Sequence, residues 1–212
     1  MQTITLISTM HQEDGKCNAH ELSEIIAQLS PEVIFVEALE ETYSEYKRLL
    51  FSSFGVYDKK LEIKALQLYG QHSPFEYVPV LDEGLSDAFE KKFSKFENIA
   101  EHNMLIDIFI DFARNKGFEF LNSFESTKLQ EEMRQIEALY LRDSEIEISF
   151  NESIDSYENN MIQNIYEYCK DNKFKTAVFL CGVAHRKSIM TRFADNVMNK
   201  ELNINWQFYT GG

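Results

Sequence analysis

Cysteine, basic charge and long apolar runs are all scarce in this 212-residue chain, and each shortage removes a class of function. Cys17, Cys169 and Cys181 are widely separated, odd in number and without metal-ligand spacing. They predict neither a disulfide framework nor a cysteine metal site, and a reducing cytoplasm is the simplest setting. Lysines and arginines number 21 against 35 aspartates and glutamates, a net charge of −14. A basic face that tracks nucleic-acid phosphates is not expected. The longest apolar stretch, Ala177 to Ala184, runs to only eight residues, against the roughly 20 that cross a bilayer, so no membrane span is expected. The first residues lack a basic cluster followed by an apolar run, so no signal peptide is expected.

Glycine is sparse in the places where nucleotide sites need it. No Gly-x-Gly-x-x-Gly follows the first predicted strand and no Walker-type loop occurs, which argues against dinucleotide and P-loop binding. A Gly-x-Ser-x-Gly elbow is also missing, and Cys181 lies inside an apolar run, which disfavours Ser-His-Asp hydrolases and cysteine proteases.

What the chain does contain is globular patterning. Apolar residues make up 44% and charged residues 26%, close to the globular average, so a compact soluble protein is expected rather than a disordered or fibrous one. Thr3 to Ser8 alternates apolar and β-branched residues, and Val33 to Val36 is a short apolar run after Pro31; both read as strands. Between them Leu22, Ile25, Ile26 and Leu29 recur at helical spacing within Ala19 to Leu29. Glu41 to Leu50 and Leu61 to Tyr69 read as helices separated by a loop containing Gly55, and Glu76 to Leu81 as a third strand.

From about residue 85 to 172 the strand signals stop and no proline occurs, which predicts a large helical insertion. Met104 to Phe112 is apolar on more than one helical face, so it should be buried on several sides or form an oligomer contact. The acidic stretch from Phe118 to Glu158 reads as solvated helix faces. Thr176 to Cys181 is then a buried strand, Arg186 to Asn199 a helix and Ile204 to Tyr209 a last strand. The expected fold is one α/β domain over residues 1–212. It has a mainly parallel five-strand sheet, helices on both faces and the insertion at about 85–172 before strand four. A strand order of 3-2-1-4-5 would put strands one and four side by side.

Two histidines then occupy matching positions. His11 follows strand one in Ser8-Thr9-Met10-His11, and His185 follows strand four in Gly182-Val183-Ala184-His185. Ligands of open parallel sheets sit beyond the carboxyl ends of the strands, so the two imidazoles are expected to face one another there. Gly182 would allow close backbone approach. Glu37, directly after Val33 to Val36, adds a carboxylate on the same edge, suited to act as a base, a metal ligand or a partner that fixes an imidazole tautomer. His20, His72 and His102 read as structural or exposed.

These residues together resemble the superfamily of TraB/PrgY proteins, Tiki proteases, GumN-like proteins, ChaN and the erythromycin esterases. The similarity rests on the Gly-x-x-His element, the Thr-x-His element after strand one, the acid ending strand two, and Leu141-Arg142-Asp143 with Ile146 in the helical region. It departs where Ser8 stands for a common glycine and Leu141 for a common glutamate. The resemblance implies a cytoplasmic hydrolase of peptides or esters in which His11, Glu37 and His185 hold a divalent metal ion or water, and Arg142 enters the crevice to stabilise negative charge. It equally implies a rival, a non-catalytic binder of a peptide, haem or other small ligand in the same crevice. A third reading is an interaction module that works through the apolar insertion helices as a homo-oligomer.

Overall fold

The structure is a computed structural model that describes residues 1–39, 60–84, 87–96, 98–142, 144–194 and 196–211. The helix expected at 41–50 and the Gly55 loop lie outside the described residues. In chain order the elements are β1 (Gln2–Thr9), α1 (Ala19–Leu29), β2 (Val33–Leu39), α2 (Leu61–Gly70), β3 (Glu76–Leu81), α3 (Asp87–Phe93), α4 (Ala100–Lys116), α5 (Phe118–Leu121), α6 (Phe124–Leu141), α7 (Glu145–Asp171), β4 (Thr176–Gly182), a 3-10 turn (Val183–His185), α8 (Arg186–Ala194), α9 (Met198–Glu201) and β5 (Ile204–Phe208).

Every strand pair in the five-stranded sheet is parallel. Side chains alternate between its faces with the period of two that strands impose. Ile7, Ile34, Val36, Val178 and Leu180 enter one core with α1, α2, α4 and α5. Ile4, Leu6, Phe35, Phe179 and Cys181 enter the other, against α7 and α8. Helices therefore cover both faces, as expected for a parallel sheet.

The spatial order is β3-β2-β4-β1-β5, which corrects the expected 3-2-1-4-5. Strands one and four are neighbours as anticipated, but β4 also separates β1 from β2. The physical reason lies in its composition. Ala177 to Cys181 is the longest unbroken apolar strand segment and is buried throughout, so it takes the centre, where both faces are covered. Pro79 lies in β3 at the sheet edge, where a missing N–H costs no ladder bond.

The insertion is helical from α3 to α7. Its last helix is 27 residues long, about 40 Å at the α-helical rise. The C-terminal half buries Met161, Ile162, Ile165 and Cys169 against the sheet, while the N-terminal half continues past the strands' carboxyl edge. The expected C-terminal helix is two pieces, α8 and α9. On α4 the apolar surface divides: Phe109 and Ala113 are buried, whereas Met104 is 55% exposed. Among the described residues no helix is long and apolar enough to cross a membrane.

Candidate functional site

β1, β4 and β2 end side by side, with Thr9 paired to Gly182 and Val36 to Leu180. That register brings the residues after them to one place. The β2–β3 register shifts between Val36 and Leu39, so Glu37 stands in a strand irregularity, a feature that re-aims a side chain at a sheet edge. A Cβ built on Gly182 would lie 3.2 Å from Glu37 Oε2, 3.6 Å from His185 Cδ2 and 4.0 Å from His11 Nε2. Three residues far apart in sequence thus close around Gly182, and a side chain there would press on the Glu37 carboxylate.

Glu37 is held by two donors: the Gly182 N–H to Oε2 at 2.7 Å and the Tyr157 hydroxyl to Oε1 at 2.7 Å. Its Oε1 also lies 3.6 Å from His185 Nε2. Burial alone would raise this carboxyl. His185, the two donors and His11 outweigh it and hold Glu37 below the ordinary carboxylate value. The Tyr157 hydroxyl moves upward, through burial and the adjoining carboxylate. Its ring stacks on His185 at 5.4 Å between centroids.

Each imidazole also has a carboxylate of its own. His11 Nδ1 is 3.0 Å from Glu62 Oε1, and the same oxygen accepts from the Thr9 hydroxyl at 2.6 Å. His185 Nδ1 is 3.0 Å from Glu158 Oε1, whose other oxygen accepts from Ser188 and Arg192. A carboxylate at Nδ1 selects the tautomer with Nδ1–H, which leaves His11 Nε2 facing Gly182 and His185 Nε2 facing Glu37 Oε1. The hydrogen bond to Glu62 raises His11 above its ordinary value of 6.5, against the opposing effect of partial burial. His11 remains half exposed, with 52% of its side chain accessible, whereas His185 is 10% accessible.

Glu62 and Glu158 are among the site residues that sequence reading missed. The signal for both was present. Glu62, Leu66 and Tyr69 share one buried stripe of α2, and Glu158, Ile162, Ile165 and Cys169 share one of α7. An acid at helical spacing on an apolar stripe is buried, and a buried acid requires a partner. Glu158, at 3% exposure, is thus an exception to the solvated reading of the acidic stretch.

Arg142 does not converge. It is exposed where it ends α6, so the expectation that it enters the crevice is corrected. Neighbouring Leu141 is the residue turned inward. Another arginine of α6 does reach the site region: Arg134 donates to the Ala184 carbonyl, beside His185. Arg186 is buried next to His185 and fixes the chain around it, donating to Ser8 Oγ at 3.1 Å, Asn122 Oδ1 at 2.8 Å and the Tyr209 carbonyl at 2.8 Å. Asn122 in turn bonds both the N–H and the carbonyl of Ser8. His102 is buried against Glu137, and His20 is exposed beside Glu24.

Among the described residues no group of three or more His, Cys, Asp or Glu side chains is arranged to hold one, and both Glu37 oxygens are engaged by protein donors. Beside the site lies a cavity of about 680 Å³ walled by the insertion, with Ala184, His185 and Glu158 at its border with the sheet.

No family model matches the chain, and neither the curated proteins nor the solved structures contain a match. The superfamily resemblance rests on its motifs alone.

Proposed function

We propose that the protein is a hydrolase of peptide or ester bonds, of the kind represented by the Tiki, TraB and erythromycin-esterase proteins, with His11, Glu37 and His185 as its reacting centre. The observation that carries this reading is the approach of all three side chains to within 4.0 Å of one point at Gly182, with a separate carboxylate behind each imidazole. Packing alone gives no reason for that arrangement.

In the proposed reaction a water molecule bound beside Gly182, among the three side chains, attacks the substrate carbonyl. His185, its Nδ1–H held by Glu158, takes the water proton at Nε2. His11, kept protonated by Glu62, returns a proton to the leaving oxygen or nitrogen. Glu37 stays ionised and orients the water and the His185 ring, which completes a scheme of general acid–base catalysis. Arg142 is exposed, so the developing negative charge falls to His11 in this scheme. The buried free cysteines suit a reducing, cytoplasmic setting. Exposed Met104 and Ile108 on α4 support self-association through the insertion, which sedimentation at several concentrations would test.

The rival of a different class is a binder of a peptide, haem or another small ligand, favoured by the cavity beside His185. Untagged protein assayed on ester and peptide libraries, before and after chelation, separates the possibilities. Turnover that survives chelation is the expected result. Turnover lost on chelation and restored by one metal would replace the water scheme with an ion shared by His11, Glu37 and His185. Ligand capture without turnover would establish the binder.

A further inference from the structure

The cavity beside His185 has a chemistry of its own. Its wall is mostly apolar and includes Phe89, Ile106, Phe109, Met133, Phe150 and Ile154, which come from α3, α4, α6 and α7. Its charged side chains are already matched within the protein. Lys92 pairs with Glu137 and lies 3.5 Å over the Phe150 ring, and Glu147 adds its field to the same lysine. Arg134 pairs with Glu131, which also meets Lys187. Asp155 pairs with Arg192, and Glu158 is taken by His185, Ser188 and Arg192. A charged ligand would have to break one of these pairs and leave its partner uncompensated in a mostly apolar space, whereas a neutral one would not.

We infer that this cavity is the specificity pocket of the proposed hydrolase and takes a neutral, bulky apolar group of the substrate, with the scissile carbonyl at His185. The inference rests on the hydrolase reading for the carbonyl's position, but the pocket's preference for neutral apolar groups can be measured without turnover. The volume of about 680 Å³ is within the range of sites that enclose drug-sized molecules, so a short acyl group would leave most of the wall uncovered.

The experiment uses two fluorescent probes that share an arylamine-naphthalene body, neutral N-phenyl-1-naphthylamine and anionic 8-anilinonaphthalene-1-sulfonate, with a parallel series of 4-nitrophenyl esters from acetate to octanoate. The neutral probe should bind about tenfold more tightly than the anionic one, the cost of one unpaired charge taken at its lower end. Ala138→Trp, on the α6 side of the cavity, and Ile154→Glu, on α7, should each weaken the neutral probe and lower the octanoate-to-acetate rate ratio. Equal or tighter binding of the anion, or a neutral probe insensitive to both variants, would overturn the pocket. Binding that follows the prediction with no cleavage of these esters or of the peptide library would retain the pocket and remove the hydrolase. Cleavage with no preference for chain length and no probe binding would do the reverse.

Discussion

His11 and Glu37 are displaced in opposite directions by the same cluster, and this makes the site readable by pH. His11 is raised above 6.5 in the fold, first by its hydrogen bond to Glu62. Its pairing therefore stabilises the fold in full below about pH 6.5 and loses that effect as pH rises through the folded-state value. Glu37 is lowered, so its contribution is present above about pH 4.5 and is lost as pH falls through its own folded-state value. An NMR titration of the His11 ring should give a midpoint above 6.5, and Glu62→Gln should bring it down. With His11 as the proton donor, the same variant should move the alkaline limb of the rate profile to lower pH. An unmoved midpoint would remove Glu62 from the role given to it. Glu158→Gln tests the other ring. It keeps the shape but weakens the hold on Nδ1, and activity should fall about 10- to 100-fold, the usual effect of an outer-shell partner, with the circular dichroism spectrum unchanged.

At the scale of elements, α7 joins core to site. Its C-terminal turns bury Ile165 completely while Ile148 near its start is 54% exposed. Ile165→Ala should cost about 2–5 kcal/mol in denaturant unfolding, and Ile148→Ala should change stability by no more than about 0.5 kcal/mol. Similar losses at both positions would contradict a helix that is half core and half cover. The strands and α1 were legible in sequence because each has a local period: Leu22, Ile25 and Ile26 mark the buried face of α1, and Thr3 to Ser8 alternates. The order of strands was not, because the apolar run Ala177 to Cys181 marks β4 as buried but does not say which two strands it lies between. The site was legible to the same extent. His11 and His185 follow the ends of β1 and β4, and Glu37 lies near the end of β2, where sheet geometry collects residues, so their convergence could be argued from spacing. Arg142 was placed by a short motif, and a residue at the end of a helix can turn either way. Glu62 and Glu158 were hidden because an acid reads as exposed until the stripe beneath it is counted.

For the whole molecule, the insertion and the sheet contribute different parts of one device. The sheet edge supplies His11, Glu37 and Gly182, while α7 supplies Tyr157 and Glu158, and Lys187 and Arg134 tie α8 and the turn before it to α6. The central claim is that His11 and His185 act together on one substrate at one point. Its most direct test is a kinetic double-mutant cycle on the best substrate from the ester and peptide libraries, with His11→Ala, His185→Ala and the double variant, each checked for folding. Each single change should lower kcat by about 10²- to 10⁴-fold, the range for a positioned acid or base. The double variant should fall little further, since residues that act as a unit are strongly non-additive. Losses that multiply, or a single variant that keeps wild-type turnover, would contradict a shared centre.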